Sequence, residues 1–437
     1  MYDKTYPAND GWTAGYFTDA VALRGGRVGY LGFDGYDQAQ AIERDAHDTV
    51  VWQDGEGGSG VSRRAVVEMP DGRVALAGAS FVGWGKYGIA LVKSRFGSTG
   101  FAASFAASPY ASLEGHFLAL ALTSTTGLYA AGHTKTAGLV AAFDEIPTGL
   151  WYKEVPATSL CRSVTATAAD DLLTWCLGTG ADGKPNGAVR VLAGGGDLKS
   201  TLAIAAPVGV QSFAPVFAPE GTSYLAFTVA PAAGGGPAKP SRVVVLRVDS
   251  AGKVVWQRMI PSVYGLGAYD LEWSVNGPVV IGYRKHATTG DLNGWAAGLD
   301  PSGVLLWQRD YGGDGTDVFY GGTALPDGLL FVGGTNSQGK AQQEPWAVRT
   351  DAWGQAPCNK SGPCADLAAK ACDDGKPCTA DTCSPIDGCV SAPTQCDDGN
   401  PCTSDACDPK AGCVWSALPD GTAACPGGGQ CGGGFCP

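Results

Sequence analysis

The chain has 437 residues, 44% of them hydrophobic and only 16% charged, with a formal charge of -12 and a pI near 4.8. That balance excludes a nucleic-acid binder, which needs a basic face to release counterions from phosphate, and no run of about 18 apolar residues is present to span a bilayer. Sixty-six glycines with so few charges suit short strands and tight turns better than long solvated helices.

In chain order, Met1 to Asn9 lacks a charged segment followed by an apolar one, so a signal segment is absent from this chain. A hairpin then recurs, a Gly-, Asp- or Asn-rich turn followed by an alternating apolar run that usually ends in Gly. The seven copies are Arg24 to Gly32, Pro70 to Gly78, Thr125 to Gly132, Asp170 to Gly178, Pro219 to Phe227, Asn276 to Gly282, and Pro326 to Gly333. A spacing of about 50 residues predicts four-stranded blades that gain a core only by stacking around an axis. A second signal, Asp249 to Gly252 before Trp256-Gln257 and Asp300 to Gly303 before Trp307-Gln308, marks the turn into an outer strand. Its weaker forms are Asp45 to Trp52, Arg95 to Phe101 and Asp144 to Trp151; the fourth copy, near Gly194 to Lys199, has no Trp. The Trp is expected between adjacent blades.

The seventh copy reaches Asp351 to Gln355 with no outer strand before Cys358, while Tyr2 to Tyr6 aligns with the outer strand Trp307 to Tyr311. The fold expected is therefore all-β, a seven-bladed β-propeller over residues 1–357 closed by the N-terminal strand, which removes two exposed edges. These repeats resemble the bacterial extracellular propeller repeats with a D-x-x-G-x-x-x-W-Q pattern, and more distantly the quinoprotein-type blade. The resemblance implies a fold and hardly a function. Cys161 and Cys176 fall on adjacent strands of the fourth hairpin and are disulfide candidates.

Residues 358–437 form a small cysteine-rich tail containing thirteen of the fifteen cysteines. Cys372, Cys378, Cys383 and Cys389 are followed at the same spacings by Cys396, Cys402, Cys407 and Cys413, offset by 24 residues; Cys425, Cys431 and Cys436 begin a third copy. With Trp415 and Phe435 as its only aromatics, the tail needs cross-links in place of a core, and disulfides place it in an oxidising, extracellular or cell-surface setting. Four cysteines per unit allow three pairings. Thirteen is odd, so one thiol is free, pairs outside the tail (an intermolecular disulfide among the options), or belongs to a bond with a missing end. The tail resembles the C-D-D-G-N-x-C-T-x-D-x-C-D-P-x-x-G-C repeat of slime-mould extracellular matrix proteins and of large secreted proteins of myxobacteria, which implies a structural or adhesive role. The first copy departs at Ser384, and the third replaces Asp-Asp-Gly with Pro-Gly-Gly.

Asp373, Asp374 and Asp381, and Asp397, Asp398, Asn400 and Asp405, offer the oxygen donors calcium takes, although Asp-Asp-Gly is equally an ordinary turn. Gly312 to Asp317 resembles one unit of a calcium-binding nonapeptide and is expected to be only a blade junction. No other cofactor is indicated. Four histidines, His47, His116, His133 and His286, accompany no H-E-x-x-H, G-x-S-x-G or Walker motif, so no catalytic residue is assigned. The function expected is noncatalytic binding or adhesion, a propeller face holding a glycan, peptide or partner protein with the tail as spacer. The alternatives are a propeller enzyme, hydrolytic or quinone-linked, which requires acids or a cofactor lining the central channel, and a structural matrix component.

Overall fold

A computed structural model describes residues 2–5, 15–34, 39–45, 50–55, 62–70, 72, 74–83, 86–94, 115–123, 127–143, 149–155, 158–166, 171–179, 185–205, 210–218, 222–229, 240–249, 254–262, 264–285, 289–337, 343–356, 378–384, 388–393, 396, 402–408, 412–422, 424–425 and 429–431. They are strands and turns, with one 3-10 turn at Arg24–Gly26 and no α-helix among them. The strands before Cys358 form seven antiparallel sheets, here numbered 1 to 7 in chain order, and those of the tail form three two-stranded ones. Sheet 1 runs Gly15–Leu23, Arg27–Asp34, Ala39–Arg44 and Val50–Gly55. Sheets 3 to 6 repeat this over residues 115–155, 158–205, 210–259 and 266–311. In sheet 7, Tyr2–Thr5 pairs antiparallel with Glu344–Thr350, outside Gly328–Thr335 and Asp317–Leu325. The N-terminal strand thus supplies the outer strand that the sequence lacks after Asp351.

Six sheets are complete four-stranded blades, where seven were expected. Sheet 2 has three described strands, Ser62–Glu68, Val74–Gly83 and Lys86–Ser94; the fourth strand expected near Arg95 to Phe101 lies outside the described residues. The first strands of the seven sheets contact one another in a closed cycle, from Gly15–Leu23 round to Asp317–Leu325 and back, and so bound a central channel.

Stacking covers both faces of the middle strands, which explains why they read as nearly continuous apolar runs. All eight residues of Gly328–Thr335 and all six of Gly138–Phe143 are buried. Between sheets 5 and 6, Tyr224, Val243 and Val245 pack against Leu271, Val280 and Trp295. Between sheets 7 and 1, Leu330 and Val332 pack against Phe17 and Tyr30. Each such large side chain contributes roughly 1.5–3 kcal/mol on burial.

On sheets 3, 5 and 6 the outer-strand Trp joins its blade to the next. Trp256 of sheet 5 covers the turn of sheet 6 and donates its indole N–H to the Pro301 carbonyl at 3.1 Å; a Cβ on Gly303 would lie 3.0 Å from its ring. Trp307 stands likewise over Gly354, and Trp151 over Gly196, donating to the Gly194 carbonyl at 2.7 Å. These glycines have φ of +89°, +69° and +86°, a left-handed conformation that a side chain disfavours in any case. The turn's Asp fixes its shape: Asp300 accepts from the amides of Ser302 and Val304, and Asp351 from those of Trp353 and Gln355.

In the tail, hairpins Thr379–Ser384/Gly388–Pro393 and Thr403–Asp408/Gly412–Ala417 repeat the same register. Cys396 bonds to Cys413 within the second copy, whereas Cys378–Cys407 and Cys402–Cys431 cross between copies. Closure within each unit, the basis on which pairings were counted, therefore does not describe the tail. Cys431, second in its copy by spacing, takes the bonding place of Cys407, because both lie 29 residues from their partners. Cys396, Cys402 and Cys431 are buried, and Trp415 donates to the Cys396 carbonyl. A face of the Trp415 ring meets the propeller, where the Arg258 guanidinium lies 5.1 Å from it and 5.8 Å from the ring of Trp256.

Candidate ligand site at the channel mouth

Every first strand carries a β-bulge at the same height. The extra residues are Thr18, Arg64, Leu118, Arg162, Gln211, Tyr269 and Tyr320. A bulge bends its strand and re-aims the side chains beside it, so seven bulges arranged in a ring set what lines the channel.

On sheets 6, 7 and 1 this ring bears aromatics. Tyr283, Tyr269, Tyr320 and Tyr16 follow one another with centroid separations of 5.5, 5.4 and 5.1 Å, and Phe33 continues the row 5.8 Å beyond Tyr16. They occupy the end of the channel where the first strands begin. Tyr283 reaches it by lying across Gly267, where a Cβ would strike the ring. Tyr269 is 37% exposed, and the other three tyrosines are half-buried. Burial raises the hydroxyl pKa of Tyr269, Tyr283 and Tyr320, so these groups stay neutral donors at ordinary pH.

On the same bulged first strands, Asp19, Asp270 and Glu272 lie within electrostatic reach of one another. Asp19 and Asp270 each follow a bulge residue, and each accepts the amide of the next residue at 2.8 Å. Asp270 also accepts from Gly322 of sheet 7 at 3.2 Å. Neighbouring Gly321 leaves the space between the acids open: a Cβ there would sit 2.7 Å from the Thr18 carbonyl and 3.1 Å from Asp19 Oδ1. Among the described residues, Glu272 has no hydrogen bond or ion pair.

Burial raises all three carboxyl pKa values, and the acids repel one another. Asp19 is pushed well above the usual range, first by burial and then by Asp270. Glu272 is raised by burial, Asp270 and Asp19. Asp270 rises to about 6 by burial, held back by its two backbone donors and by Arg162 of sheet 4 across the channel. All three carboxyl residues nevertheless keep part of their surface in solvent. A site of this kind offers aromatic surface, phenolic hydroxyls and carboxyl oxygens.

Sequence inspection missed all of these residues. The available signal was an acid in the middle of an apolar strand, at the same distance before the hairpin turn in Thr18-Asp19 and in Tyr269-Asp270. The residues it did single out lie elsewhere. Cys161 and Cys176 form a disulfide across the first two strands of sheet 4. Of the calcium candidates, Asp373, Asp374, Asp397, Asp398 and Asn400 lie outside the described residues; Asp381 and Asp405 occupy equivalent hairpin positions. Among the described residues no group of three His, Cys, Asp or Glu side chains is placed to hold a metal. In the Gly312 to Asp317 junction, buried Asp317 accepts from Thr335 Oγ1, from Ser337 Oγ at 2.6 Å and from the Gly313 amide at 2.9 Å. His116 and His133 oppose each other on sheet 3 with centroids 5.3 Å apart, and His47 and His286 lie outside the described residues.

Comparison with known proteins bears on the two regions separately. The family model of the Dictyostelium (slime mold) repeat matches residues 371–394 and 395–417. The tail carries two copies of that repeat. No curated protein matches the chain. Among solved structures, the BP39L lectin from Burkholderia pseudomallei is similar with a TM-score of 0.52 and 12% identity, over 78% of this chain and 98% of that one. Streptogramin B lyase is similar with a TM-score of 0.51 and 10% identity, over 80% and 98%. One is a lectin and the other an enzyme, so at these identities the likeness speaks for the propeller fold alone. No described helix is long and apolar enough to cross a membrane.

Proposed function

We propose that this chain is a noncatalytic extracellular or cell-surface binding protein. Residues 1–357 form a propeller of seven blades with sheet 2 as the incomplete one, and the tail of residues 358–437 serves as spacer or attachment module. The observation that carries the reading is the partly exposed row Tyr283, Tyr269, Tyr320 and Tyr16, on the same bulged strands as the interacting acids Asp19, Asp270 and Glu272. Aromatic rings with a few convergent polar groups in a concave site are the usual composition of a ligand pocket. Export is supported by the disulfides, which persist in oxidising compartments. The test is a glycan array and a cell-surface pull-down, run with the wild-type chain and with Tyr269→Ala. Hits that the substitution weakens are expected; blanks in both formats overturn the reading.

One observation favours a second reading. Asp19, Asp270 and Glu272 supply the channel acids that a hydrolytic propeller requires, with raised pKa values suited to proton transfer. Turnover of a glycoside or ester panel, abolished by Asp270→Asn, supports it. An inactive wild type removes it.

A further inference from the structure

We infer that the tyrosine-lined mouth recognises an organic ammonium group, an alkylated or primary amine seated against Tyr269 and Tyr320 with the carboxyls of Asp270, Asp19 and Glu272 below it. This rests on the binding reading above and names the ligand class for the same site. Two independent features select a cation. Aromatic rings carry negative charge on their faces and attract ammonium groups within about 6 Å of the ring centroid, most strongly for quaternary ones. The row of four tyrosines is built from three different sheets, and Tyr283 is accommodated there only because Gly267 bears no side chain.

The second feature is charge. Asp19 and Asp270 raise each other's energy when ionised, and Glu272 has no positive or hydrogen-bonding partner among the described residues. Arg162 is the opposing cation acting on Asp270, from the far side of the channel. A ligand cation between the acids and the rings removes this repulsion. A neutral sugar gains the stacking without that relief, and an anion meets the acids directly. The net charge of -12 draws cations toward the molecule as a whole.

Affinity is then linked to protonation. The groups facing Asp270 are Asp19 on sheet 1, Glu272 on its own strand, Arg162 on sheet 4 and the Gly322 amide on sheet 7. Protonating the acids removes the attraction, so binding strengthens as pH rises from 5 to 8.

The experiment is titration calorimetry on the full chain with choline, n-butylammonium, Nα-acetyl-lysinamide and 3,3-dimethylbutan-1-ol, the neutral carbon isostere of choline. Choline or butylammonium is expected to bind at least about 10-fold more tightly than the isostere at pH 8. Tyr269→Ala and Asp270→Asn, each shown to be folded by its thermal melt, are each expected to weaken the ammonium ligand by about 3- to 10-fold. A preference for Nα-acetyl-lysinamide over choline assigns the group to a peptide lysine; the reverse order assigns it to a small quaternary amine. Equal binding of choline and its isostere overturns the inference. So does ammonium binding untouched by both substitutions. If the ammonium probes fail while glycan-array hits remain sensitive to Tyr269→Ala, the ligand class is wrong and the binding reading stands. If every probe is blank, both fall.

Discussion

Asp19 and Asp270 occupy the same place in their strands, each one residue past a bulge and each accepting the amide that follows, and ring closure sets them on either side of Gly321 and Gly322. One lies near the start of the chain and the other on the sixth sheet, so their mutual repulsion exists only once the wheel has closed.

Burial of these carboxyls, reinforced by their repulsion, predicts an acid-stabilised fold. A carboxyl whose pKa is raised on folding binds more protons folded than unfolded between its two pKa values, so stability falls as pH rises across that window. For Asp270 the window runs from the ordinary aspartate value of 3.8 to about 6. Asp19 and Glu272 act in the same direction. Urea denaturation of the wild type between pH 4 and 7.5 is expected to show the decline. Asp270→Asn should flatten it and gain about 1–2 kcal/mol at pH 7.5, after allowance for the part of the group in solvent. A wild type more stable at pH 7.5 than at pH 5, with the variant unchanged, contradicts the electrostatics.

The Trp-over-Gly joint separates backbone strain from collision. Gly303 and Gly72 both have left-handed φ, +89° and +82°. A Cβ at Gly72 meets nothing within 4 Å, whereas one at Gly303 meets the Trp256 ring at 3.0 Å. Gly72→Ala is therefore expected to lower stability by about 1 kcal/mol, and Gly303→Ala by about 2–3 kcal/mol, with Trp256→Ala losing about 3–5 kcal/mol. Equal effects of the two glycine substitutions in chemical denaturation would show that the joint contributes no packing.

Closure by Tyr2–Thr5 makes the N-terminal strand a structural element. Deleting residues 1–5 exposes the edge of Glu344–Thr350, a template for pairing with another chain. A lower melting temperature is expected, with concentration-dependent aggregation measured by light scattering. An unchanged melt and a clean monomer count against the strand's role.

Repeat symmetry extends the disulfide ladder. Cys396–Cys413 spans 17 residues, and Cys372 and Cys389 stand the same distance apart one repeat earlier. Shifting Cys378–Cys407 back by one repeat leaves Cys383 to an upstream cysteine, Cys358 or Cys364. Nonreducing proteolysis with mass spectrometry is expected to recover Cys372–Cys389 and Cys383 linked upstream. A Cys383–Cys389 bond, invited by their pairing in register, breaks the rule.

The all-β class, the blade repeat, the closing strand and the need for sulfur cross-links were legible in the residues themselves, because turns, strand alternation and cysteine spacing are local and each copy restates them. Trp256 and Gly303 were both visible as parts of a motif; that the Trp of one blade caps the Gly of the next was not, since the motif places them in separate copies. The channel site was invisible for the same reason. Tyr16, Tyr269 and Tyr320, or Asp19 and Asp270, are ordinary strand residues until seven bulged strands share one axis. Pairing between tail repeats likewise depended on which cysteines of successive copies the fold brings together. Local chemistry is written along the chain, whereas a site whose parts come from three sheets exists only through distances set by tertiary packing.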